Sequence, residues 1–287
     1  MKIIYLILAT ENEPFTTHMK AQQDTWVKGI EKDKIFYILG SKFDKPHHDS
    51  EKLLLHLPVE ERYGNILEKT LLAMRWALEN VEFDFLVRGN TSTYYNEREL
   101  RKIIEKEAGT TPFLGGEFGF IKFPDSTKET LDQFVAGTAI VLSHQSTKKL
   151  VQMKVETYDG WEDDPAISHF LLADDCHMTH IHRNDLTDFK PFINAFQHRV
   201  KSWSNSDFVA KRMYEIDAIY SQKGIKRHYY RLKHGFSEMY RFRQEYPISE
   251  GLNILRLIRF ISKSCSAFFL FEILRVPTKR FTTKNAY

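Results

Sequence analysis

Three carboxylates stand side by side in "GWEDDPAIS": Glu162, Asp163 and Asp164, directly ahead of Pro165. Adjacent like charges repel, so at least one of them is expected to keep its proton to higher pH unless a cation or a helix N-terminus compensates. A carboxyl group of that kind can take a proton from a hydroxyl near neutral pH, which is the work of a general base. The same cluster also suits a plainer role, capping the amides of a helix whose first turn holds Pro165.

A second stretch, "FDFLVRGNTSTYYN" (residues 83–96), ends an apolar strand on Arg88, Gly89, Asn90, Thr91 and Ser92. A strand that stops this way delivers polar groups to a site, although Gly, Asn, Thr and Ser are also the residues of ordinary turns. The tract "DDCHMTHIH" places His177, His180 and His182 close in sequence. Its spacing matches no known zinc pattern, and the alternation puts His180 and His182 on one face of a strand, lining a surface together. Gly115, Gly116 and Gly137 are positions where the backbone can approach another group closely.

The elements that must position these residues follow an α/β order. "KIIYLILAT" and "KIFYILG" are β-rich runs separated by a helix-compatible segment, the pattern of a βαβ unit. "KLLLHLP" is a third strand, and Ile66, Leu67, Thr70, Leu71, Met74 and Leu78 recur at helical spacing, predicting a helix over 64–81. The strand "FDFLV", a short helix near "NERELRKIIEKE", strands around Gly115–Gly116, a strand running into a helix capped near Ser143 and the Pro165 helix follow. At 287 residues and 42% hydrophobic content the chain can bury a large core. Its two cysteines, Cys176 and Cys265, are too far apart to suggest a disulfide framework, which fits a reducing compartment.

In order and spacing the landmarks resemble those of inverting β-1,3-glycosyltransferases related to the β-1,3-galactosyltransferase and Fringe enzymes. The matching pieces are Thr25-Trp26, "IFYILG", "ERYGNILEKTLLAMRWALEN", "FLVRGNTSTYYN", "FVAGTAIVLS", "EDDPAIS" and "AFQH", over roughly residues 1–200. The resemblance implies a GT-A fold, a Rossmann-like α/β/α sandwich that binds a nucleotide sugar, UDP-sugars above all, at the C-terminal ends of its parallel strands. Asp164 then takes the place of the catalytic base, with Asp163 the alternative one residue away. Asn90, Thr91 and Ser92 stand where the family carries an acidic triplet that holds Mn²⁺, and Arg88 stands at the preceding Lys. A divalent ion, Mn²⁺ or Mg²⁺, is implied by the resemblance, but its usual Asp ligands are absent, so metal use stays open. The implied donor-site residues are Thr10, Arg88, Asn90, Ser92 and His198, with Asp24 a weaker candidate. On the acceptor side stand Trp161, as a platform under a sugar ring or as core, and Gly116.

Charge is distributed unevenly. From residue 221 onward there are fourteen Lys/Arg against four Asp/Glu, a surplus of ten in a chain of net charge +3, so residues 1–220 carry −7. The expected organisation is a catalytic body over 1–215 and a basic, helical extension over 216–287. Residues 223–247 interleave cations with aromatics, a pattern that can bind nucleic acid. "GLNILRLIRFISKSCSAFFLFEILRVP" argues instead for a basic amphipathic helix on an anionic membrane surface, with a helix docked on the body as the alternative. "MKIIYLILATENEP" reads as a first strand rather than a signal peptide. The expectation is therefore a cytoplasmic enzyme, peripheral at the inner membrane face, acting on a glycan or lipid-linked glycan in surface-polysaccharide synthesis. A non-catalytic binding protein of the same fold, its metal site lost, is the rival reading.

Overall fold

The computed structural model describes residues 1–107, 112–173, 176–185, 195–200 and 206–221. In chain order the strands are β1 (Ile3–Leu8), β2 (Ile35–Gly40), β3 (His47–Asp49), β4 (Leu54–Leu57), β5 (Phe85–Asn90), β6 (Thr93–Tyr95), β7 (Phe113–Gly116), β8 (Phe118–Ile121), β9 (Asp132–Val135), β10 (Ala139–Ser143), β11 (His177–His180), β12 (Arg183–Asp185) and β13 (Gln197–Arg199). The α-helices are α1 (Phe15–Asp24), α2 (Ile66–Asn80), α3 (Glu97–Glu107), α4 (His144–Leu150), α5 (Asp163–Leu172) and α6 (Ser206–Ser221). Residues 1–184 and 194–214 form one compact unit. The remainder, 185–193 and 215–287, groups separately, and the basic segments 223–247 and 251–287 lie outside the described residues.

An eight-stranded sheet of order β11-β7-β10-β5-β1-β2-β4-β3 forms the centre, giving the mixed α/β fold with a large central sheet that the alternation of elements predicts. β1, β2, β4 and β5 are mutually parallel, while β10 enters antiparallel between β5 and β7. Strand β1, "IIYLIL", is apolar at every position because both of its faces are covered. On one face Ile4, Leu6, Phe36, Ile38, Leu86 and Leu142 meet Leu67, Leu71, Ala73, Met74 and Ala77 of α2, Leu150 of α4 and Ile167 of α5. On the other, Tyr5, Trp26 and Tyr95 pack ring to ring at 5.0–6.1 Å, and the Tyr37 hydroxyl donates to the Met19 carbonyl of α1.

Helix α2 begins two residues later than its apolar period suggests, because Tyr63–Asn65 form a 3₁₀ turn ahead of it. Ser143 caps α4, its Oγ accepting the Ser146 N–H at 3.2 Å as well as the Phe113 N–H at 3.1 Å. Short strands β3, β6, β8, β9, β12 and β13 build a sheet edge and two small sheets.

Candidate functional site

The strand order reverses direction at β1. The chain passes from β1 through α1 to β2 on one side, and from β4 through α2 back to β5 on the other. Open α/β sheets leave a crevice at such a switch point, outside the carboxyl ends of the strands. Leu8 pairs with Asn90 there, so Thr10 and the "GNTST" turn leave the sheet side by side. Because β10 runs the opposite way, its lead-in residues Gly137 and Thr138 arrive at the same edge.

Arg88 is only 3% exposed and lies on the face of the sheet that carries Leu86 and Ile140. A buried guanidinium is tolerated only when its charge and its N–H groups are met. One terminal nitrogen donates to the Gly137 carbonyl at 2.5 Å, and the other forms a close ion pair with Asp163. Its Nε is buried without a hydrogen-bond partner.

Asp163 and Asp164 are the first two residues of α5, where the positive end of the helix dipole favours carboxylates, and Pro165 sits third, where no N–H is needed. The two acids nevertheless differ. Asp163 is taken by Arg88, whereas Asp164 Oδ2 accepts the Gly137 N–H at 2.8 Å and belongs to no ion pair among the described residues. Burial, and then the neighbouring Asp163 charge, push the Asp164 carboxyl up from 3.8 to about 6, against the opposing pull of Arg88 and the Gly137 amide. A side chain at Gly137 would displace its neighbours: a Cβ would lie 2.7 Å from the Arg88 guanidinium and 3.3 Å from Asp164 Oδ2.

Two residues not picked out individually from the sequence complete the strand ends. Lys69 of α2 is buried, with Nζ 2.6 Å from Glu61 Oε1 and 3.3 Å from the Ala9 carbonyl. Glu61 Oε2 in turn accepts the Gly40 N–H at 2.6 Å, so one ion pair ties together the ends of β1 and β2. Burial lowers the Lys69 pKa, with the Glu61 carboxylate working against it. Both residues lie within the quoted "ERYGNILEKT" piece. The visible signal was a lysine next to the apolar stripe of a helix, which a single sequence cannot distinguish from a solvated one.

The remaining predicted residues are placed as follows. Asn90 Oδ1 accepts from the hydroxyls of Ser92 at 3.1 Å and Thr93 at 2.7 Å, and the Asn90 N–H donates to the Tyr95 hydroxyl at 3.1 Å. The Asn90 side-chain oxygen is therefore engaged within the turn, and the Asn90 and Thr93 carbonyls accept from Gln22. With no carboxylate, these oxygens engaged and Thr91 buried, the turn does not fit a divalent cation, which prefers several carboxylate or free carbonyl oxygens. Thr10 Oγ1 accepts the Asn12 N–H at 3.1 Å. Asp24 lies elsewhere, accepting from Tyr214 at 2.8 Å. His198 was expected at a phosphate. It is instead fully enclosed on β13, Nδ1 3.1 Å from the Asn184 amide, with its ring 6.1 Å from Tyr94. Arg88, likewise expected to meet the diphosphate, faces Asp163 and Gly137. Trp161 is half-buried among Phe123, Tyr158 and His169, with ring centroids at 5.2–5.4 Å. Gly116 has a packing reason of its own, since a Cβ there would lie 2.4 Å from the Ala139 carbonyl.

No family model matches the sequence, and no curated protein matches it. Solved structures do show likeness. A glycosyltransferase involved in glycosylation of the major capsid of PBCV-1 aligns at 7% identity and TM-score 0.44, over 74% of this chain and 99% of that one. A protein from Bacillus anthracis assigned as a glucose-1-phosphate thymidylyltransferase, in complex with a sucrose, aligns at 11% and 0.47 over 78% and 98%. A mannosyltransferase from Pyrobaculum calidifontis in complex with GDP-Man and Mn²⁺ aligns at 9% and 0.43 over 96% and 82%.

Proposed function

We propose that this chain is a GT-A glycosyltransferase that moves a hexosyl unit from a nucleotide sugar, a UDP-sugar in the first instance, to a glycan hydroxyl with inversion. The observation that carries the reading is Asp164: a carboxyl at the switch-point edge of the sheet, pushed up to about 6 and held in place by the Gly137 amide. At neutral pH it is ionised yet more basic than an ordinary aspartate, the property a general base needs.

In this mechanism Asp164 takes the proton of the acceptor hydroxyl as that oxygen attacks the anomeric carbon. The bond from the anomeric carbon to the diphosphate oxygen breaks on the opposite face, and the nucleoside diphosphate leaves with the electron pair. An α-linked donor then gives a β-linked product. Asp163 serves the ion pair rather than the proton transfer, and Arg88 holds the Asp163 carboxylate and the Gly137 peptide in register. The unused Arg88 Nε–H is a donor available to negative charge at this edge. Thr10, Asn90 and Ser92 border the donor, and Trp161 borders the acceptor. No step is routed through a metal, because the turn at Asn90 does not fit one.

Among the described residues no helix is long and apolar enough to cross a membrane. We propose that the basic amphipathic sequence over 251–287 brings the enzyme to an anionic bilayer carrying a lipid-linked glycan.

The test is a thermal-shift panel of nucleotides and nucleotide sugars with Mn²⁺ or EDTA, followed by turnover of the best donor. The reading expects stabilisation by a nucleotide sugar that survives EDTA. It also expects Asp164→Asn to lower turnover by about 10²–10⁴-fold with donor binding retained. Silence across the panel would favour the binding-protein reading, and turnover left intact in Asp164→Asn would remove Asp164 as the base.

A further inference from the structure

We infer that Glu117, His180 and His182 form a binding site for a divalent transition-metal ion of the Zn²⁺ type. The site lies on the same sheet edge as Asp164 but shares no residue with it, so it does not depend on the proposed reaction. Glu117 follows the last residue of β7, and β11 pairs parallel to β7 with His180 opposite Gly116. The pairing therefore delivers the end of β11 and the residue after next directly over Glu117. Ligand atoms of all three side chains lie within 4.8 Å of one another.

Glu117 Oε2 is 3.4 Å from His180 Nε2 and 3.9 Å from His182 Nδ1. Zn²⁺ binds such donors at about 2.0–2.2 Å, which sets tetrahedral ligands roughly 3.3 Å apart. The first pair already has that spacing, and the second needs only a small side-chain rotation. The rotation is open to it, because His182 is 53% exposed.

The donor set and its surroundings favour a metal over a simple ion pair. Two imidazoles and one carboxylate suit Zn²⁺, Co²⁺ or Ni²⁺ rather than Mg²⁺ or Ca²⁺, which prefer oxygen ligands throughout. The Arg183 N–H donates to Glu117 Oε2 at 2.6 Å, the kind of outer contact that orients a ligating carboxylate. Phe118 packs on the His180 ring at 4.8 Å and limits its rotation. An exposed His–Glu pair contributes little by itself. Three protein ligands leave a fourth position for water or a ligand oxygen, and a bound ion would clasp the turn before β12 onto the exit of β7.

The experiment is titration of the metal-stripped full-length protein with Zn²⁺ by calorimetry and with Co²⁺ by visible absorption at about pH 7.5, since metal binding competes with protons for its ligands. One equivalent should bind with the d–d bands of a four- or five-coordinate Co²⁺ ion, and His182→Ala or Glu117→Gln should each weaken it by about 100-fold or more. His182 is exposed and Glu117 partly buried, and circular dichroism checks that the variants remain folded. Should either fail to fold, His180→Gln reads the same site. An unchanged stoichiometry and affinity in these variants would assign the binding to other histidines, and absence of Co²⁺ binding at micromolar concentrations would overturn the proposal outright.

Discussion

Replacing Asp164 by Asn should cost the protein its turnover and at the same time make it more stable above neutral pH. In the folded chain the Asp164 carboxyl titrates at about 6, against an ordinary 3.8. Below 3.8 it is protonated in both the folded and the unfolded state, and the stability that protonated carboxyl provides is fully present. As pH rises through about 6 the folded protein must ionise a buried group beside Asp163, and that stability is lost. The gap between the two values corresponds to at most about 3 kcal/mol. Asparagine is neutral at every pH and keeps an amide oxygen for the Gly137 N–H, so it avoids the penalty without giving up the bond. Urea denaturation of both proteins at about pH 4 and pH 8 measures this directly. The stability advantage of Asp164→Asn should be small at the lower pH, grow between the two values, and amount to one to three kcal/mol, or several degrees in Tm, at the higher. If Asp164 served only the N-terminus of α5 as an ordinary carboxylate, Asn would be neutral or slightly destabilising there, because it caps about as well but gives up the charge that favours the helix dipole. A destabilised variant, or a difference that ignores pH, would refute the reasoning.

Three other changes probe the same edge. Gly137→Ala forces a methyl group against Arg88 and Asp164, and should lower stability by about 1–3 kcal/mol while reducing kcat/KM beyond what the folded fraction explains, as read from denaturation and initial rates. Removing one partner of a buried pair leaves a bare charge, so Arg88→Met should destabilise by about 3–5 kcal/mol, with Arg88→Met/Asp163→Asn recovering much of the loss in a double-mutant cycle. The same cycle on Lys69→Met and Glu61→Gln should show coupling in denaturation curves, and additive losses there would mean the pair does not hold the ends of β1 and β2 together.

The fold was legible where burial leaves a simple trace. A central strand apolar at every position, as in Ile3–Leu8, and a helix with Leu67, Leu71 and Met74 on one face can be read because one physical demand sets each residue. The cap at Ser143 and the helix opened by the acids before Pro165 were equally readable, since local chemistry decides both. The three-residue strands were not: Thr93–Tyr95 and Gln197–Arg199 exist only because they pair with each other across about a hundred residues. The same limit separates the two carboxylates. Nothing local distinguishes Asp163 from Asp164. Only the arrival of Arg88 from β5 engages the first and leaves the second beside a fixed negative charge. The enclosure of His198 is hidden from the sequence for the same reason, because it involves Tyr94 and Asn184.

Charge at this edge is arranged around the helix rather than the strand. The sequence already lacks the acids that the resemblance would put at the end of β5: that strand ends on a neutral turn, and its one charged side chain is a cation. The acids come from the start of α5, one neutralised by that cation and one in no ion pair among the described residues. The two positions depend on each other: without Arg88 an ionised Asp163 would lie uncompensated beside Asp164 and raise its pKa further, and without Asp163 the guanidinium could turn to Asp164 and lower it. The Arg88–Asp163 pair therefore tunes the basicity that burial first gives Asp164, as well as holding Gly137. Asp163→Asn is accordingly expected to move the acid limb of the kcat/KM profile to lower pH, a shift that a purely structural ion pair would not produce.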